Sequence, residues 1–120
     1  MNSFKNEMHD NSAKGLKATA TILEKWGCSK SVQVMILGVS PDGCGDQTLS
    51  EEQQHRLSYI LRIHGALRLL FDNPKNIYGF MSFKNKNKPF NGNRPLDLIS
   101  AGNVDDLKDI CEAIEALVLK

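Results

Sequence analysis

Residues 50–71 constrain the fold more than any other stretch of the chain. Ser50 and Gln53 stand at the spacing of a capping box, and Glu51 and Glu52 place carboxylates at the positive end of a helix dipole. Leu57, Leu61, His64, Leu67, Arg68 and Phe71 then trace one helical stripe, and Tyr59, Ile63, Ala66 and Leu70 trace a second, with Ile60 between them. A helix apolar over so much of its girth is central to its fold, or is shared between a core and a partner. The two stripes point to a homodimer, in which one stripe serves the core and the other a two-fold mate.

Shorter helices flank this one. Leu16, Thr19, Ala20, Leu23 and Trp26 recur at three- and four-residue steps, and Gly27 supplies a C-terminal stop. Ser29 or Ser31 caps a second helix that faces Val32, Met35 and Ile36 inward and ends at Gly38. Residues 39–48, with one Pro and two Gly, form a loop by their turn chemistry. Asn73 caps a short helix opened by Pro74, with Ile77, Tyr78, Phe80 and Met81 on its buried side. Residues 84–94 read as a polar, basic loop around an exposed Phe90. Pro95 starts a turn or two of helix that Gly102 stops, and from Asn103 a last helix turns Leu107, Ile110, Cys111, Ile114, Leu117 and Val118 to one side. No period-two strand pattern is present, so the expected class is all-α.

A chain of 120 residues has room for one compact domain, or for one domain plus a small helical appendage. The formal net charge of +1 gives no global field toward nucleic acid or an acidic membrane, so any DNA contact needs a local patch. The three cysteines, Cys28, Cys44 and Cys111, are odd in number and widely spaced, which suggests neither a disulfide framework nor a zinc site and fits a reduced, cytoplasmic setting. The first residues lack the apolar run of a signal peptide and no later stretch has the length of a membrane span. Residues 1–14 are too polar to offset their ordering entropy and read as a flexible tail.

No Gly-rich phosphate loop, HExxH or GxSxG motif is present, so neither catalysis nor a cofactor or metal is expected. His64 lies on an apolar stripe and reads as a neutral core histidine; Cys28 and Cys111 read as small apolar fillers. Trp26, Tyr59, Phe71 and Phe80 sit at core spacing without interleaved basic residues. The concentrated basic patch is Lys84, Lys86, Lys88 and Arg94, in a loop whose Asn, Gly and Pro content suits either solvent or binding.

The string Asn85, then Phe90-Asn91-Gly92-Asn93-Arg94-Pro95-Leu96-Asp97-Leu98-Ile99-Ser100-Ala101-Gly102, resembles the signature of the toxin-binding domain in the Xre/MbcA/ParS-like antitoxin family. That signature has Trp-Leu, Pro-Asn and Phe-Gly-Gly ahead of Pro-Leu-Asp-Leu and a Gly. The run through Leu49, Arg56, Leu57, Ala66 and Phe71 is similar to the helix that enters that domain, and the resemblance covers residues 49–120. It implies a bacterial type II antitoxin whose Asn85, Phe90, Gly92, Arg94, Pro95, Leu96, Asp97 and Gly102 shape the surface on which a cognate toxin docks. The implied toxin is a RES-domain, NAD-consuming protein whose active site the antitoxin covers. Phe80 and Met81 replace the family's Trp and Leu, Lys84 replaces the Pro before Asn85, and Asn91 replaces the first Gly. Where relatives carry a DNA-reading helix, residues 41–48 hold two acidic residues and no basic one. Residues 15–48 are therefore expected to be a degenerate helix-turn-helix, for a recognition helix needs donors on base edges and cations on phosphates. The alternative, a regulator bound to its own operon DNA, would draw its phosphate contacts from Lys14, Lys17, Lys25 and Lys30.

Overall fold

The computed structural model describes residues 2–42 and 48–119. Among these residues the chain is all-α, with six α-helices: α1 (Asn2–Lys25), α2 (Lys30–Leu37), α3 (Glu51–Leu70), α4 (Pro74–Gly79), α5 (Pro95–Ile99) and α6 (Val104–Val118). A 3-10 turn, Phe80–Ser82, follows α4. The polar opening expected to be a tail enters α1 from Asn2 onward, and Cys44 lies outside the described residues.

Helix ends fall where the caps place them. At Gly27 (φ +92°) the Cys28 amide donates to Leu23 O and the Gly27 amide to Glu24 O, which satisfies carbonyls that α1 would otherwise leave bare. Ser29 Oγ accepts from Val32 N to open α2, and Gly38, left-handed at φ +72°, closes it. The capping box of α3 forms as its residues predict: Gln53 N donates to Ser50 Oγ at 3.1 Å and Ser50 N donates to Gln53 Oε1 at 2.8 Å. Asn73 and Asn103 cap α4 and α6 through their side-chain oxygens.

α3 is the centre of the fold and packs along α6, with α1, α2 and α4 against its other flanks. Its buried residues, Leu57, Ile60, Ile63, Ala66 and Leu67, come from both expected stripes, so the stripes merge into one broad face and the argument for a second, two-fold face loses its basis. Leu61 and Arg68 instead turn outward. In α2 the expected inward set is corrected as well: Met35 is exposed, and Gln33 is buried with Ile36 and Leu37. Gln33 tolerates burial because its Nε2 donates to Cys28 O at 3.2 Å. Thr19 is fully buried on similar terms, its hydroxyl bonding back to Gly15 O and Leu16 O within α1.

The core runs without interruption from Leu16, Leu23 and Trp26 through Ile36 and Leu37 to Met81, Phe90, Ile99 and Ile114. Polar bonds cross the same junction. Gln53 Nε2 donates to Gly38 O at 2.7 Å, Arg56 Nη1 donates to Ile36 O at 3.0 Å, and Ser82 Oγ donates to Trp26 O at 2.9 Å. Residues 15–42 therefore pack as part of the body that residues 49–119 form. No helix among the described residues is long and apolar enough to cross a membrane.

Candidate functional site

The signature residues converge on one surface loop and the helix behind it. Asn85 and Asn93 form an antiparallel bridge: Asn85 N donates to Asn93 O at 3.1 Å, and Gly92 N donates to Asn85 O at 2.7 Å. Between these rungs the chain folds on itself, with the Phe90 and Asn91 amides both donating to Asn87 O. Asn91 (φ +52°) and Gly92 (φ +89°) make the left-handed reversal. Asn is among the few side-chain-bearing residues that enter this region readily, so position 91 makes the reversal without a glycine.

Phe90 is the plug of this loop. Expected to be exposed, it is 1 % exposed, its ring edge-on to Phe80 with centroids 6.0 Å apart, and Phe80 in turn tilts against Phe71. The loop closes down around an apolar anchor, which is why so polar a segment holds a fixed shape. Pro95 and Leu96 are buried too and seat α5 on the body. These three expected contact residues therefore shape the surface from beneath and are not presented on it.

Gly102 also acts from beneath. It turns the chain from α5 into α6 at φ +81°, and a Cβ there would lie 2.3 Å from the backbone oxygen of Met35. The end of the signature is thus packed directly against the last turn of α2, a contact that only glycine permits.

Arg94 and Asp97 do face solvent, but they face each other first. Arg94 Nε and Nη2 donate to the two Asp97 oxygens at 2.9 and 2.6 Å, a bidentate pair across one turn of α5. Asp97 is therefore an ion-pair partner within its own helix. The Arg94 guanidinium holds the Asp97 carboxyl below its ordinary range. What the loop leaves free is its rim: Lys84, Lys86 and Lys88 are exposed, and none is in a salt bridge among the described residues. Beside them Phe83, to which no role fell in the sequence, is 59 % exposed. Only its adjacency to the lysines could have pointed to it.

The four lysines considered for DNA do not form one surface of free cations. Lys30 Nζ is tied to Asp42 at 2.8 Å and Lys25 Nζ sits 4.8 Å from the Tyr78 ring centroid, while Lys14 and Lys17 lie further back along α1. No helix follows α2 in residues 38–42, and the rest of the expected loop, residues 43–47, lies outside the described residues.

A groove of about 750 Å³ runs between α3 and α6, lined by Gly65, Ala66, Leu69 and Val118 with Arg62, Arg68 and Glu115 at its edges. Arg62 and Glu115 neutralise each other through a bidentate pair at 3.0 and 2.6 Å, and no nucleophile or histidine lines it. His64 stacks on Tyr78 at 5.5 Å with its Nδ1 buried and unpartnered; burial, with Arg68 and Lys25 nearby, lowers its pKa. Cys28 and Cys111 are buried, and burial pushes both thiols up to about 11. Among the described residues no three His, Cys, Asp or Glu side chains gather as a metal would require.

Comparison with protein-family models, with curated proteins and with solved structures returned no match.

Proposed function

We propose that this chain is an antitoxin-type protein-binding module that neutralises a cognate toxin, of the RES-type, NAD-consuming class, by covering its active site. The observation that carries the reading is the loop at residues 84–94. It is exposed at its rim, anchored at its centre by a fully buried phenylalanine and locked at its base by a backbone bridge. A loop held in one shape in this way has little freedom left to lose when a partner covers it, and a surface ordered beforehand gains affinity from that. The resemblance of the same residues to a toxin-binding signature is the ground for proposing a toxin as that partner. The chain itself does no chemistry on this reading.

Operator DNA binding has less support, because two of the four lysines it needs are engaged within the molecule. A homodimer through α3 would use Leu61 and Leu69, which stand exposed on that helix; a monomer by light scattering at micromolar concentration counts against it. The direct test is co-purification of the tagged chain with the product of the adjacent gene, followed by an NAD-consumption assay with and without the chain. A stable complex that stops NAD loss supports the reading. Retention of no partner, with NAD loss unaffected, overturns it.

A further inference from the structure

Phe83 is an exposed aromatic side chain with one ring edge against backbone. A Cβ on Gly79 would fall 2.9 Å from Phe83 Cε2 and 3.3 Å from Cζ, so one edge of the ring rests on the bare backbone of Gly79, at the end of α4. Most of the ring still meets solvent. A large apolar side chain in water gains little for the fold, and one that rests on backbone along one edge has fewer rotamers to lose when a partner covers it. Aromatics of this kind are what interfaces use as anchors.

The chain turns directly from Phe83 into the lysine rim. The bridge between Asn85 and Asn93 fixes the backbone on which Lys84 and Lys86 stand, and Lys88 follows. The carboxylate on the signature helix beside this loop, Asp97, is already committed to Arg94. An apolar anchor beside three unneutralised ammonium groups is complementary to one kind of surface, an apolar side chain flanked by carboxylates.

A nucleic acid fits less well. The side-chain amides of Asn91 and Asn93 each donate to one of the loop's own carbonyls, Pro89 O and Phe90 O, and Asn85 Oδ1 accepts from Asn87 N, so these side chains are oriented by the loop and not by a base edge. One ring also falls short of the row of stacking faces that tracks a single strand.

We infer that Phe83 with Lys84, Lys86 and Lys88 is the contact surface of the loop, and that its occupant is an acidic segment of a partner protein with an apolar side chain to cover the Phe83 ring. The inference rests on the reading of the chain as a protein-binding module and adds where and how it binds.

The test titrates the full, isotope-labelled chain with a synthetic peptide alternating Glu and Leu, and separately with single-stranded oligodeoxythymidine. The peptide is expected to shift the backbone resonances of Gly79 and of residues 83–88, with affinity falling about tenfold in Phe83→Ala, as loss of an aromatic anchor does. Binding should disappear in the triple variant K84E/K86E/K88E, and both variants should keep the wild-type melting temperature. Peptide shifts elsewhere on the chain, shifts indifferent to either variant, or tighter binding of the oligonucleotide at the same residues overturns the inference. Co-purification with the adjacent gene product separates the two readings. A partner held equally by wild type and triple variant removes this surface and leaves the proposed function standing. A wild-type chain that holds no partner, while peptide binding at residues 83–88 persists, removes the antitoxin reading and leaves the surface.

Discussion

Gly102→Ala isolates the contact that joins the signature to the N-terminal helices. The backbone at Gly102 has φ +81°, and a left-handed conformation costs an L-residue about 1–2 kcal/mol. The added Cβ would also lie 2.3 Å from Met35 O, a backbone atom at the end of α2 that can move only if the helix moves. Forcing such a shift costs roughly another 1–3 kcal/mol. The total, roughly 2–5 kcal/mol, is a large part of a net stability of about 5–15 kcal/mol. For a chain of this length the unfolding entropy is about 0.25 kcal/mol/K, which converts the loss into a melting temperature lower by roughly 8–20 °C. Gly27→Ala and Gly92→Ala are internal controls: both sites have the same sign of φ, at +92° and +89°, and neither has an atom within 4 Å of its would-be Cβ. They should show the conformational cost alone, roughly 4–8 °C. Thermal unfolding of the three variants by circular dichroism reads the difference. If Gly102→Ala loses no more than the two controls, the close approach of Gly102 to α2 is refuted.

Phe90→Ala should cost about 3–5 kcal/mol in denaturant unfolding, as loss of a buried aromatic does; a cost near zero would return Phe90 to the exposed position first expected of it. His64 gives a pH dependence. Its folded-state pKa lies below the ordinary 6.5, so the unfolded chain takes up the proton first as pH falls. Stability is complete above 6.5 and declines as pH drops through that value, until the folded imidazole is protonated too. His64→Gln should flatten that slope in melts taken across the window, and an unchanged slope refutes the assignment. Cys28 and Cys111, buried with thiols pushed up to about 11, should react with an aromatic disulfide reagent near neutral pH only at the rate of unfolding. Fast labelling of either in native conditions, followed by peptide mapping, counts against their burial.

The helix framework was legible because its determinants are local. Ser50 with Gln53, Asn73 with Pro74, Asn103, Gly38 and Gly102 each act within a few residues, and each marks a helix end or turn where the sequence places it. Inward orientation was less legible where polar and apolar residues compete for one position. Gln33 takes a core site from Met35 because an acceptor, Cys28 O, waits there, and nothing in the spacing of α2 announces that acceptor. On α3 the two stripes are close enough in angle that neighbours on several sides cover parts of both, a result fixed by packing and not by period. The loop misled for a related reason. Surrounded by lysines and asparagines, Phe90 reads as exposed, and only the long-range meeting with Phe80 reveals it as an anchor. Phe83 carries the opposite lesson, for its ring edge rests where Gly79 has no side chain.

Burial divides the residues of the signature loop by how they can act on a partner, and the division is open to experiment. Phe90, Pro95, Leu96 and Gly102 are held in the core or against backbone, so changing them alters binding by first altering shape. Lys84, Lys86, Lys88 and Phe83 contribute little to the fold, so changing them alters binding with the shape intact. Arg94 and Asp97 stand between. Their side chains are 43 % and 51 % exposed, and a solvent-screened surface pair of this kind adds little to stability. Breaking the pair by Asp97→Asn frees the Arg94 guanidinium and adds a cation beside the lysine rim. On the proposed acidic contact this variant should hold its partner more tightly while melting at nearly the wild-type temperature. A variant that loses the partner without losing stability would instead place the Asp97 carboxylate itself in the interface.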